Sequence, residues 1–205
     1  MDGMQRKVSL GFSHEEFDPG LHICQIVNGD EERIEAILKF VASGLEADEN
    51  VACYSNEVDP PLLESAMPPT KPTFAEARNR GMFSHARTSS VYFKDGRFDP
   101  DRMVALLAEF LREALSAGRS GARVIGEMAS EVLSMPGGSR LLEYESKITL
   151  LLRGKPMTAV CQYDARLFDG STIMDVLKVH PLMIVRGAIV RNPFFTPPEE
   201  YLASE

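Results

Sequence analysis

The sequence predicts a three-layer α/β fold built on a mainly parallel sheet. Three observations carry this. Four short apolar runs, about 21–28, 50–55, 122–127 and 157–163, have the length and the turn-bounded character of buried strands. Between them lie longer segments whose apolar residues recur at helical spacing. The first such set reads strand, tight turn, helix, strand, the order of a right-handed parallel crossover. Strands alternating with helices form a sheet covered on both faces.

Residues 1–19 are polar with no sustained period and read as a loosely held arm. Leu21-His22-Ile23-Cys24-Gln25-Ile26-Val27 is an apolar run that Asn28-Gly29 ends. Ile34, Ile37, Leu38, Val41 and Leu45 form one stripe of a helix, and Asn28 with Glu31 has the spacing of a capping box. Asn50-Val51-Ala52-Cys53-Tyr54-Ser55 is the second strand. The proline-rich stretch 58–73 is an irregular connection with one short helix. Ser90-Val91-Tyr92-Phe93 and Arg97-Phe98 flank Lys94-Asp95-Gly96 as a small hairpin. Asp99-Pro100 then opens a helix with Val104, Leu107, Leu111 and Leu115 in its stripe, ending at Gly118. A third strand at 123–128, a helix over about 139–152 and a fourth strand at 157–163 follow. A helix from Ser171 stops near His180-Pro181, because proline disfavours helix at the residue before it. Leu182–Val185 and Ala188–Val190 are terminal strands, and the tail after Pro193 is extended.

The 205 residues suffice for a sizeable core, and 44% hydrophobic with 25% charged residues is ordinary for a globular chain. A net charge of -8 argues against direct nucleic-acid binding, which needs clustered Lys and Arg. No apolar run approaches the roughly 18 residues of a membrane span, and the start lacks a signal-peptide core, so a cytoplasmic location is expected. Cys24, Cys53 and Cys161 lie in apolar runs and read as buried reduced thiols. The spacing of the four His and three Cys matches no common ligand pattern, so neither a metal nor a cofactor is expected.

In open α/β sheets ligands bind beyond the carboxyl ends of the strands. A phosphate-binding loop there reads GxxxxGK[ST] and supplies backbone N–H groups and a lysine. This chain has Asn28-Gly29-Asp30-Glu31-Glu32-Arg33-Ile34-Glu35 instead. Its four carboxylates suit the positive end of a helix dipole but repel a nucleotide phosphate, and Arg33 is the one compensating charge.

His22-Ile23-Cys24-Gln25, Gly29-Asp30-Glu31, Gly44-Leu45-Glu46-Ala47, Gly96-Arg97-Phe98-Asp99, Gly126-Glu127-Met128, Tyr144-Glu145, Cys161-Gln162-Tyr163-Asp164, His180-Pro181 and Asn192-Pro193-Phe194-Phe195 run in order along nearly the whole chain. Together they resemble the MEDS family, the methanogen/methylotroph DcmR-type sensory domain. The opening unit also resembles KaiC and RecA-like ATPases without the lysine motif. The resemblance implies a RecA/KaiC-like fold without a functional P-loop, with 1–19 as arm, 20–195 as sensory domain and 196–205 as tail. It implies a non-catalytic sensor of small organic compounds, of a family fused to DNA-binding domains or histidine kinases. No such partner domain accompanies this sequence, so its output is expected to pass through another protein in a signalling pathway, with self-association as a further option. Two other readings stand beside it: an interaction scaffold without ligand, and a divergent nucleotide-binding enzyme.

Strand ends supply the candidate ligand-binding residues. Asn28, Ser55, Glu127, Tyr163 and Asp164 are expected to share the carboxyl edge, in a wall suited to a mostly apolar compound with a polar handle. Glu127 reads equally as a rim carboxylate paired with an arginine, Asp164 as a loop cap, and Ser55 as turn chemistry. His22 and His180 read as structural, the latter ending a helix.

Overall fold

The structure is a computed structural model and describes residues 7–203. In chain order its elements are β1 (Val8–Ser9), β2 (Glu16–Phe17), β3 (His22–Val27), α1 (Asp30–Glu46), β4 (Glu49–Tyr54), α2 (Pro60–Ala66), α3 (Phe74–Asn79), β5 (Phe83–Ala86), α4 (Thr88–Tyr92), α5 (Pro100–Ser116), β6 (Gly121–Glu127), α6 (Leu141–Leu152), β7 (Met157–Asp164), α7 (Gly170–Lys178), β8 (Leu182–Val185), β9 (Ala188–Arg191) and α8 (Pro198–Ala203). The main sheet runs β5-β4-β6-β7-β3-β8-β9. Every pairing in it is parallel except β8 with β9.

Period-2 alternation divides the core between the two faces of this sheet. Ile23, Val51, Cys53, Ile125 and Val160 face α1, with Ile37, Phe40, Val41 and Leu45, and face Leu63 of α2. Cys24, Ala52, Val124, Ala159 and Cys161 face the other way, onto Leu107 and Leu111 of α5 and Ile148 of α6. Nearly continuous burial along β6 and β7 follows from helices on both sides. The three cysteines are buried and free, as their apolar runs predict.

One buried ion pair ties the layers together. Arg123, on β6, is fully buried. Its guanidinium pairs with Glu49 and donates to Phe40 O at 3.2 Å, Ser43 Oγ at 2.6 Å and Ser9 O at 3.1 Å. Gly44 makes room for it: a Cβ there would lie 2.5 Å from Arg123 Cδ.

Local expectations meet several corrections. Within the segment read as a loose arm, residues 7–19 form the β1–β2 ribbon, and Val8 and Leu10 are buried against α1; the rest of that segment lies outside the described residues. The ribbon is held by Arg123, a contact more than a hundred residues away that no local period reports. The hairpin at 90–98 is instead α4 followed by a 3₁₀ turn. Arg102 explains the difference, because it donates to the carbonyls of Val91 at 2.7 Å and Tyr92 at 3.1 Å and so satisfies the end of α4. The capping box at Asn28 does not form: Gly29 is the N-cap, without a side-chain bond. The half-exposed edge strand β5 carries too few apolar residues to stand out, and the tail after Pro193 forms α8 rather than an extended segment.

Candidate functional site

The helices after the neighbouring strands β3 and β7 leave to opposite faces of the sheet, α1 onto one and α7 onto the other. That divergence opens a crevice at the carboxyl ends of the strands. A cleft of about 220 Å³ lies there.

Arg33 stands at its centre, on the first turn of α1, with a side chain only 9% exposed. It reaches Asp30 at 2.5 Å, Glu127 at 3.5 Å and Asp164 at 3.5 Å. Glu127 ends β6 and Asp164 ends β7, so one guanidinium links the termini of two strands to a helix start. Arg166 also grips Asp164, at 2.9 and 2.6 Å, and reaches Asp30 at 2.6 Å. The hydrogen bonds from Arg166 hold Asp164 below the usual carboxylate range. Glu127 goes the other way. Burial pushes its carboxyl up, against hydrogen bonds from Ser55 and from the Asn56 N–H and the charge of Arg33.

Five polar atoms of the cleft lining are buried without a hydrogen-bond partner among the described residues: Arg33 Nε, Asn56 Oδ1, Thr88 Oγ1, Glu127 Oε1 and Gln162 Oε1. Arg33 Nε and Glu127 Oε1 attract as an ion pair at 3.5 Å, yet neither completes a hydrogen bond. A buried polar group left unpaired costs about 1–3 kcal/mol, so such convergence in one small space calls for polar partners, which ordered water or a polar guest can supply. The lining carries Glu57, Glu127, Glu131 and Asp164 against Arg33, which disfavours an anion.

The β3–α1 turn agrees with that sign. Asn28 N–H, of the kind that cradles phosphate in a nucleotide-binding loop, is 3.4 Å from Glu32 Oε2 and donates to it. Millimolar MgATP is therefore expected to leave the melting temperature unchanged, whereas a ligand at about 100 times its dissociation constant stabilises by roughly 2.7 kcal/mol. A melting shift that disappears on substituting the 28–33 turn would contradict this.

The structure brings together only part of the set expected from strand ends. Glu127 and Asp164 line the cleft. Ser55 lies beneath it, its Oγ accepting from the N–H groups of Glu57 at 3.1 Å and Val58 at 2.8 Å. Asn28 is exposed and outside the lining. Tyr163 is a correction: it faces the opposite side of the sheet, fully buried, with its hydroxyl on Glu145. Successive strand residues point to opposite faces, so Tyr163 and Asp164 cannot share a site. Arg33, Thr88 and Gln162 were not among the expected residues, whereas Asn56 and Glu57, which follow Ser55 at the end of β4, do line the cleft. Arg33 alone gave a signal, as the single cation in an acidic turn. Of the expected wall, the cleft keeps apolar surface from Val27, Met128 and Leu167 beside two carboxylates, but not the tyrosine ring. A larger groove of about 770 Å³, at the amino ends of the strands, has an apolar lining, with Phe17, Leu21, Pro181, Leu182, Ile189 and Phe195.

A second polar cluster lies under the other face of the sheet. His22, Glu145, Cys161 and His180 each place one metal-ligating atom within 4.8 Å of the others. The sequence expectation of no metal rested on spacing, and spacing is blind to four residues that three strand and helix packings bring together. Among the described residues no helix is long and apolar enough to cross a membrane.

The family model described as MEthanogen/methylotroph, DcmR Sensory domain matches residues 21–181. The chain is similar to the transcriptional repressor DcmR of Methylorubrum extorquens, with 24% identity over 162 residues, 78% of this chain and 57% of that protein. It thus spans little more than half the length of that relative. Among solved structures it is similar to the flagellar accessory protein FlaH of Methanocaldococcus jannaschii, with a TM-score of 0.58 and 9% identity over 83% of this chain and 75% of that one. It is also similar to a KaiC-like protein of Pyrococcus horikoshii, with a TM-score of 0.58 and 13% identity over 87% of this chain and 79% of that one. At such identities the structural likeness shows the fold, which is KaiC-like and RecA-type.

Proposed function

Because the chain belongs to the MEDS family of sensory domains, we propose that it is a non-catalytic sensor whose carboxyl-edge cleft takes a small, donor-rich organic guest and whose occupancy a partner regulator reads. The convergence of five unpartnered polar atoms on the cleft carries this reading. Four of them are oxygens that accept, and only Arg33 Nε must donate, so the complementary guest offers O–H or N–H groups. The acidic lining favours a neutral or cationic guest, such as a short alcohol, diol or amine. A cavity of roughly 150 Å³ holds benzene, so about 220 Å³ suits a molecule of that order. Arg33 forms ion pairs at 3.5 Å with both Glu127 and Asp164, which favours a binding role for the pair over acid–base catalysis.

The relay has a candidate surface. Leu167 is part of the cleft wall yet 57% exposed, so a protein docked on it would touch the site itself. The relative's name, a transcriptional repressor, supports a regulatory partner, and contact with DNA would belong to that partner. A guest of mainly apolar surface fits the amino-end groove instead, and its binding would survive changes at Glu127.

Glu127→Gln separates function from folding. The folded pKa of Glu127 lies above its unfolded value, so its contribution to stability is full at low pH and is lost as pH rises through the folded pKa. At neutral pH the ionised carboxylate is therefore a net cost, and the neutral isostere is expected to melt at the same temperature as the parent or slightly above. That gain shrinks as pH falls toward about 4, the unfolded value. Binding of short amines or diols, read by calorimetry, is expected to weaken at least about tenfold, the equivalent of about 1.4 kcal/mol. A variant that is less stable at neutral pH, or that binds as the parent does, would count against the reading.

A further inference from the structure

We propose that His22, Glu145, Cys161 and His180 form a closed binding site for one divalent transition-metal ion of the zinc type, on the sheet face opposite the sensory cleft. Both imidazoles are oriented from outside. His180 Nδ1 lies 2.8 Å from Val176 O, a carbonyl that can only accept, so this nitrogen carries the hydrogen. His22 Nδ1 lies 2.8 Å from Thr149 Oγ1; when that hydroxyl turns its hydrogen to the carbonyl of Glu145 or Val179, both at 3.4 Å, Nδ1 is the nitrogen that donates. In that tautomer each ring turns its Nε2 inward with a free electron pair. Tyr163 donates to Glu145 Oε1, which leaves Oε2 to face the same centre.

The result is a meeting of electron pairs with too few hydrogens between them. His22 Nε2 is 3.2 Å from Glu145 Oε2 and 3.4 Å from Cys161 Sγ. His180 Nε2 is 3.4 Å from Glu145 Oε2, and Cys161 Sγ is 3.5 Å from it. His180 Nε2 has no hydrogen-bond partner among the described residues, although His180 is fully buried. A proton on one nitrogen would relieve one of these contacts. A cation at the centre relieves all of them.

Four of the six separations, at 3.2–3.5 Å, lie close to what that cation needs, and the whole set, within 4.8 Å, has to contract only slightly around it. Tetrahedral bonds of about 2.0–2.3 Å to N, O and S place the ligand atoms about 3.3–3.8 Å apart. Two imidazoles, a thiolate and a carboxylate form a mixed set that suits a borderline ion. Outer partners of the kind seen here, on both imidazoles and the carboxylate, fix ligands in metal sites. Four protein ligands leave no open position, so the ion would be structural. On binding, the Cys161 S–H bond breaks, the sulfur pair goes to the metal and the proton leaves to solvent. The amino-end groove reaches His22 and Thr149 and gives the ion a route in.

The test uses the full chain, purified without a metal-affinity step or chelator. Metal analysis is expected to find about one zinc per chain, and chelation should lower the melting temperature. Cobalt(II) added to the folded, stripped protein should give tetrahedral absorption with a thiolate-to-cobalt band. In Cys161→Ala, which removes the sulfur and its long contacts to His22 and Glu145, that band should vanish and bound zinc fall below about a tenth of an equivalent, while circular dichroism and cooperative melting persist. His180→Gln gives a second variant with the same expectation. A parent chain that binds neither zinc nor cobalt while folded, or a Cys161→Ala chain that keeps a full equivalent with an unchanged cobalt spectrum, overturns the proposal. Neither result bears on the sensory cleft.

Discussion

Arg123→Met is expected to destabilise the domain by about 3–5 kcal/mol, the usual cost of breaking a buried ion pair from one side. The arginine is fully buried and Glu49 nearly so. Its loss also removes donors from Phe40 O, Ser43 Oγ and Ser9 O, and the guanidinium that lies 4.9 Å from the Phe40 ring. For a domain of this size the melting temperature should fall by roughly 6–20 °C. The β1–β2 ribbon should loosen first, because Ser9 is its anchor on Arg123, and proteolysis within 7–19 should accelerate before global unfolding. The double variant Arg123→Met/Glu49→Met is expected to recover much of the loss, since well-packed apolar residues often replace a buried pair without cost. A single variant within about 1 kcal/mol of the parent would show that this pair does not join the layers.

Arg33→Met is expected to act on binding more than on folding. Asp30 and Asp164 keep Arg166, and Glu127, already raised by burial, can take up a proton when its cation goes. The stability loss should therefore stay near 1–3 kcal/mol. The cleft loses its only positive charge in the lining and the donor Nε. Losing a hydrogen bond to a charged group costs about 1.5–3 kcal/mol, or roughly 10- to 150-fold in affinity for a short diol, whose oxygen accepts from Nε. Because Glu127 becomes easier to protonate in this variant, its stability deficit should narrow as pH falls. A deficit that widens at lower pH would mean that Glu127 is not the group responding.

The frame was legible because it rests on repetition. The runs at 21–28, 50–55, 122–127 and 157–163 correspond to β3, β4, β6 and β7, since strands buried on both faces must be apolar along their length. Asp99-Pro100 opens α5 as expected, with Asp99 accepting from the N–H groups of Asp101 and Arg102. What escaped depends on single long-range contacts. Arg102 turns 88–92 into helix, and Arg123 fastens the ribbon, and neither interaction leaves a periodic trace. The candidate site was legible only in outline. Strand ends point to the carboxyl edge, but which of two neighbouring residues faces it depends on the pleat, and Tyr163 and Asp164 were assigned together. The polar character of the cleft was hidden because Gln162 and Thr88, read alone, are ordinary strand and loop residues. His22 and His180 looked structural for the same reason: their meeting with Glu145 and Cys161 is made by packing.

The most direct measurement of the central claim is saturation-transfer NMR on the parent chain and on Arg33→Met, with a panel of short alcohols, diols and amines and with inorganic phosphate as the anionic control. The account predicts transfer to at least one hydroxyl-bearing compound in the parent, its loss in Arg33→Met, and none to phosphate. Equal transfer in parent and variant, or transfer to phosphate alone, would contradict a donor-seeking cleft centred on Arg33, Glu127 and Asp164.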